Sequence, residues 1–137
     1  MSKVVRGLRA TAYVIRYRVG LGRRLRTDSL SAILGDVEAS AARAVEASPQ
    51  RPDGALLFAL RAGESIVSRA RLAPNTCLYR ALGRYALFRR NGHRAVFVLG
   101  LRGEDDGGEG HAWVELDGVP FGESIAPELV VTFRHPS

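Results

Sequence analysis

Along the first half of the chain, apolar residues recur at helical spacing. Val4, Val5, Leu8, Ala12, Ile15 and Val19 predict a helix over about 4–19 that fades at "GLGRR" and leaves many of its arginines on the opposite side. A second helix starts near Ser29 or Ser31 and runs through "AILGDVEASAARAVEA". Turn chemistry at Pro49 to Gly54 separates it from a third, over about 55–71. Pro74, Asn75 and Thr76 introduce a fourth, "CLYRALGRYALFRRNG", with Leu78, Leu82, Tyr85 and Phe88 or Arg89 spaced for one buried stripe. Asn91-Gly92 closes that helix as a left-handed cap does.

The period then changes. "AVFVLGL" from Ala95 is short, apolar and β-branched, which predicts a buried strand. "RGEDDGGEG" is an exposed connection, and "HAWVEL", Asp117-Gly118, "VPFGES" predicts a hairpin. "ELVVTF" supplies a further strand. Helices come first and antiparallel strands second, so the expected class is α+β, with N-terminal helices packed on a small antiparallel sheet. A length of 137 residues fits a single domain over 1–137: a helical part, 1–72, and a part, 73–137, holding the fourth helix and the strands.

Composition narrows the setting. With 46% hydrophobic and 25% charged residues the chain is ordinary globular protein, which excludes wholesale disorder. One cysteine excludes an intramolecular disulfide and a multi-cysteine zinc site, and fits a reducing, cytoplasmic location. Arginines at 6, 9, 16 and 18 interrupt any signal-peptide core, and no run of uncharged apolar residues is long enough for stable membrane insertion. The net charge of +6 is concentrated before Asp28. Such a segment meets nucleic acid, an anionic membrane or an acidic protein, or is simply a solvated helix face. Aromatic residues are sparse and not interleaved with the basic run, which counts against single-strand nucleic-acid binding.

The candidate chemistry centres on Cys77 and His111. A lone cysteine is most often a small buried hydrophobe, and a tryptophan such as Trp113 most often core. At the start of a helix, however, unpaired backbone N–H groups and the macrodipole favour thiolate over thiol. A thiolate nucleophile needs an imidazole as base and acid, and His111 sits where the glycine-rich loop becomes a strand. His93, in a turn, and His135, in the C-terminal tail, lack comparable settings. A third group should hold the other ring nitrogen. If Asp117-Gly118 is a two-residue turn, Ser124 falls opposite His111 and Glu123 points to the other face. If the loop is the bulged three-residue type, Glu123 falls opposite His111. Asp117 reads as a turn former, and Glu115 is a weaker alternative.

"CLYRALGRYALFRRNGHRAVFVLGL" followed by "HAWVELDGVPFGES" resembles the transglutaminase-like leader peptidases of lasso-peptide biosynthesis, over about residues 74–124. The resemblance implies a transglutaminase-like, papain-like cysteine protease core. Its Cys-His-Asp triad falls on Cys77 as nucleophile, His111 as general acid/base and Glu123 as orienter, one methylene longer than the family's aspartate. The family also often has serine where this chain has Ala81. The implied reaction is thioester-forming removal of the leader from a ribosomally made precursor, ahead of lactam formation by a separate ATP-dependent synthetase. Expected partners are the precursor leader, a separate leader-recognition protein and that synthetase; nucleic acid is not among them. The N-terminal helix is a candidate docking surface for one of these proteins. No cofactor is expected: the chain has no GK[ST] phosphate loop, and its three histidines lack metal-ligand spacing. The same chemistry also fits an acyl transferase or deamidase. A third reading is a non-enzymatic basic module that binds nucleic acid or membrane.

Overall fold

The computed structural model describes residues 2–44, 52–103 and 109–136. Among the described residues, four helices, α1 (Lys3–Thr27), α2 (Leu30–Ala44), α3 (Gly54–Arg69) and α4 (Cys77–Arg90), precede four strands, β1 (Ala95–Leu101), β2 (Gly110–Leu116), β3 (Val119–Pro120) and β4 (Val130–His135). The strands form one antiparallel sheet in the order β3-β2-β1-β4. This is the expected α+β arrangement. The predicted end of the second helix beyond Ala44, much of the Pro49–Gly54 turn and the centre of the glycine-rich loop lie outside the described residues.

Side-chain caps begin the helices where the sequence placed them. Ser29 Oγ accepts from Ala32 N, Asp53 from Leu56 N and Thr76 from Tyr79 N, satisfying first-turn donors that have no intrahelical partner. Gly92, at φ 84°, lets the chain leave α4, and β1 occupies the predicted 95–101. "ELVVTF" contributes β4, which returns beside β1 with a bulge between Leu99 and Gly100.

The first helix departs from expectation in length and in phase. It continues through Gly20-Leu21-Gly22 to Thr27, because Leu21 is fully buried and Gly22 admits the close approach of the Tyr79 hydroxyl from α4. Tertiary packing thus outweighs a helix-propensity cost of about 1 kcal/mol per glycine. The predicted stripe also faces the wrong way. Val4, Leu8 and Val19 are exposed, at 71%, 67% and 50%, whereas Ala10, Val14, Arg18 and Leu21 form the buried line. Arg9, Arg16, Arg23 and Arg26 do face solvent, but Arg18 does not.

Helix α4 is central. It packs against α1 and α2 as well as β1 and β2, so its buried surface exceeds one stripe: Ala81, Leu82, Gly83 and all of Tyr85 to Phe88 are buried. Leu78 is only partly covered. The core joins Val14, Leu21, Ile33, Leu34 and Leu60 to these residues and to Phe97, Ala112 and Val114 of the sheet. A bidentate pair, Arg84 to Glu64 at 2.7 and 3.1 Å, ties α4 to α3.

Candidate active site

Cys77 is the first residue of α4, and the chain's lone thiol is free and half-buried against the core. Thr76 is the N-cap, with extended backbone at φ −80° and ψ 164°. The thiol therefore stands at the positive end of a 14-residue helix, where backbone N–H groups lack helical acceptors. Hydrogen bonds hold the segment before it. Arg80 Nη1 donates to Asn75 O at 2.9 Å and Arg18 Nη2 to Pro74 O at 2.8 Å. Asn75 thereby anchors the loop.

His111 is the second residue of β2, opposite Gly100 of β1. Strand alternation sends Ala112 and Val114 into the helical core and puts His111, Trp113 and Glu115 on the other face. Trp113 is 3% exposed, and its ring stacks on the imidazole with centroids 5.8 Å apart and planes at 22°. Gly100 makes room for that indole: a Cβ there would sit 3.0 Å from the Trp113 ring. Trp113 is therefore both core and a floor beneath the imidazole.

The carboxylate that meets the imidazole is Glu123, hydrogen-bonded through Oε1 to His111 Nε2. It arrives by a route that neither register anticipated. Leu116 pairs with Val119, and Asp117 (φ 53°) and Gly118 (φ 77°) make a two-residue turn, so the bulged loop does not form. In that register a continued ladder would turn Glu123 away. Instead β3 ends at Pro120, one more bond runs from Phe121 N to Val114 O at 2.8 Å, and Gly122 at φ 71° redirects the chain. Proline removes a ladder donor and glycine permits the left-handed step. Glu123 then reaches the His111 face from outside the ladder, while Ser124 is exposed.

The alternative acids have other occupations. Asp117 forms the turn. Glu115 accepts from Arg134 Nη1 at 2.7 Å and from Trp113 Nε1 at 3.3 Å. Of the remaining histidines, His93 lies in the turn after α4, and His135 lies edge-on to Tyr85 with its Nε2 buried and unpartnered among the described residues.

The structure thus brings His111 and Glu123 together. It does not join Cys77 to either by a hydrogen bond among the described residues; the thiol packs with the helical core, at the start of the helix that lies along β2. With Nε2 engaged by a carboxylate, Nδ1 is the ring nitrogen left to exchange a proton with a thiol or a substrate. No group of three or more metal-ligating side chains occurs among the described residues, and none of the described helices is long and apolar enough to cross a membrane. An apolar recess of about 180 Å³, lined by Leu57, Leu116, Val119, Phe121 and Gly122 among others, lies at the turn end of the hairpin.

Sequence reasoning overlooked Arg18. Its signal was present: it stands four residues after Val14 and three before Leu21, in phase with the buried line.

Comparison with curated proteins and with solved structures found no match for this chain. Comparison with protein families did, matching the transglutaminase-like superfamily over residues 17–135, a span that includes Cys77, His111 and Glu123. Such membership points to cysteine-protease or acyltransferase-type chemistry. On that match, and with four helices on a small antiparallel sheet, the chain belongs to the transglutaminase-like superfamily.

Proposed function

We propose that this protein is a cysteine peptidase that removes the leader from a ribosomally made lasso-peptide precursor. The observation that carries the reading is the hydrogen bond between Glu123 and His111, in a chain whose single cysteine opens a helix. The lasso-peptidase resemblance over about 74–124 supplies the substrate class. In the proposed reaction the Cys77 thiolate attacks the scissile carbonyl and His111 protonates the departing amine. Water then attacks the thioester, with the same imidazole taking its proton. Glu123 keeps the ring oriented and stabilises the imidazolium. The amide N–H of Cys77, at the helix start, is a natural donor to the oxyanion.

The mechanism requires the thiol and the imidazole to come within proton-transfer reach as substrate binds. Catalytic hydrogen bonds that are long or poorly aligned without substrate often tighten in the substrate complex. A leader-recognition protein delivering the precursor, and a separate ATP-dependent synthetase using the freed amine, complete the proposed setting.

The test is mass spectrometry of the precursor encoded beside this protein, incubated with it and the candidate recognition protein. Cleavage at one bond is expected, abolished in Cys77→Ala and His111→Ala and slowed in Glu123→Ala. Cross-linked product or released ammonia in place of hydrolysis would assign an acyl transferase or a deamidase instead. Wild-type cleavage by folded Cys77→Ala would sink the nucleophile assignment.

A further inference from the structure

We propose that Arg18, on α1, is a positioning residue for Cys77: its guanidinium fixes the Pro74–Asn75 segment that aims the first turn of α4. The inference rests on the reading of Cys77 as the nucleophile. Arg18 is 0% exposed and occupies a slot between Val14 and Leu21 on the buried line of α1. Its stem crosses α4 at Gly83, where a Cβ would lie 2.9 Å from Arg18 Cδ. From there Nη2 donates to Pro74 O at 2.8 Å and to Asn75 Oδ1 at 3.3 Å. Nε and Nη1 are buried with no hydrogen-bond partner among the described residues.

That arrangement is costly as packing alone. Burying a cation with three of its five N–H donors unpaired loses hydration that the two bonds only partly replace. Burial is also the main cause pulling the guanidinium's pKa down, with Arg80 and Arg84 adding to the effect and Glu64 opposing it. A guanidinium nonetheless keeps its charge. A methionine would fill the slot without those penalties. What arginine adds is at its head group, on residues two and three positions ahead of the thiol.

Asn75 is held from three helices. Besides Arg18 of α1, it is held by Arg80 of α4, which donates to its carbonyl at 2.9 Å. Its Nδ2 donates to Ser68 Oγ of α3 at 3.5 Å. Removing the Arg18 contact leaves the capping bond of Thr76 and the bond from Arg80 N to Thr76 O in place. Arg18 also brings a positive charge to the segment just before the first turn of α4.

The experiment uses the full chain and two readouts. The first is the rate of Cys77 alkylation by iodoacetamide at pH 7, which needs no peptide and reports one site because the chain has one cysteine. The second is kcat and KM for precursor cleavage. Arg18→Met is expected to slow alkylation by roughly threefold to tenfold, the scale of a neighbouring charge's effect on a thiol. It should lower kcat by a similar factor with KM unchanged. Arg18→Lys should recover part of both, since an ammonium can still reach Pro74 O. Gly83→Ala keeps the charge but displaces the stem, and should shift both readouts in the same direction as Arg18→Met. Val14→Ala, which loosens the α1–α3 contact, should alkylate like wild type.

Folded Arg18→Met and Gly83→Ala proteins with wild-type alkylation would overturn the inference. If Arg18→Met does not fold, Arg18→Lys and Gly83→Ala are judged by the same criterion. Slowed alkylation in the variants, together with no precursor cleavage by wild type, would support the role of Arg18 while refuting the leader-peptidase reading.

Discussion

Gly63 and Gly35 test the packing argument, because one added methyl should have opposite effects at the two positions. At Gly63, in α3, a Cβ would lie 2.9 Å from Val14 Cβ, 3.0 Å from its Cγ1 and 3.3 Å from the Thr11 carbonyl oxygen on α1. Neither neighbour can step aside. Val14 is fully buried and β-branched, with one strongly preferred helical rotamer. The Thr11 oxygen is backbone, and the Thr11 hydroxyl is engaged with Gly7 O at 2.9 Å and Ala59 O at 3.3 Å. The helices must separate, an overpacking cost of about 1–3 kcal/mol. Replacing a mid-helix glycine by alanine returns about 1 kcal/mol. The net expectation for Gly63→Ala is a loss of up to about 2 kcal/mol. Gly35, exposed in the middle of α2, has no atom within 4 Å of a built Cβ, so Gly35→Ala keeps the propensity gain of about 1 kcal/mol. Urea unfolding followed by far-UV circular dichroism reads both, and each kcal/mol should move the thermal midpoint by about 3 °C. A Gly63→Ala protein stabilised as much as Gly35→Ala would refute the reasoning, because it would mean that the α1–α3 spacing is soft.

Other consequences follow from buried and paired groups. Burial pushes the Tyr17 and Tyr85 phenols well above the ordinary value of 10.0. Their contribution is therefore intact below pH 10 and lost as pH rises beyond it, by up to about 1.4 kcal/mol per pH unit for each phenol. Tyr17 Oη has no partner among the described residues, so Tyr17→Phe should leave stability at pH 7 unchanged or raised and flatten the alkaline limb; an unaltered alkaline slope in pH-dependent urea melts would contradict this. Arg84→Met should cost about 1–3 kcal/mol by stranding the largely covered Glu64 carboxylate, and a double-mutant cycle with Glu64→Gln should give a coupling of about 1 kcal/mol or more. Additive single effects in that cycle would rule out an energetically coupled pair. At the proposed site, Glu123→Gln should lower kcat about tenfold or more and Glu123→Asp should fall between it and wild type, because the Gly122 turn is built for the longer acid. Equal kcat in all three proteins would remove Glu123 from the mechanism.

Local chemistry was legible where it sufficed to decide structure. β1 could be bounded because its β-branched run is too short for a helix, and α4 because Thr76 and Gly92 serve as caps whatever surrounds them. Asp117-Gly118 makes its turn from its own left-handed preference. The meeting of His111 with Glu123 was within reach of the sequence as one of two registers and through the family resemblance, and the register that would have explained it is not the one adopted. Glu123 arrives because Pro120 ends the ladder and Gly122 turns the chain.

What the sequence determined by itself was therefore the class, most of the element boundaries, the cysteine at a helix start and the histidine on a strand, since caps, turns and periods act over a few residues. Tertiary structure decided which face of α1 is buried, how far that helix runs, and that Arg18 enters the core through the gap at Gly83 to hold the segment before Cys77. Those outcomes depend on residues about 50 positions or more apart competing for the same space, and no local pattern encodes which of two apolar stripes will find the better partner.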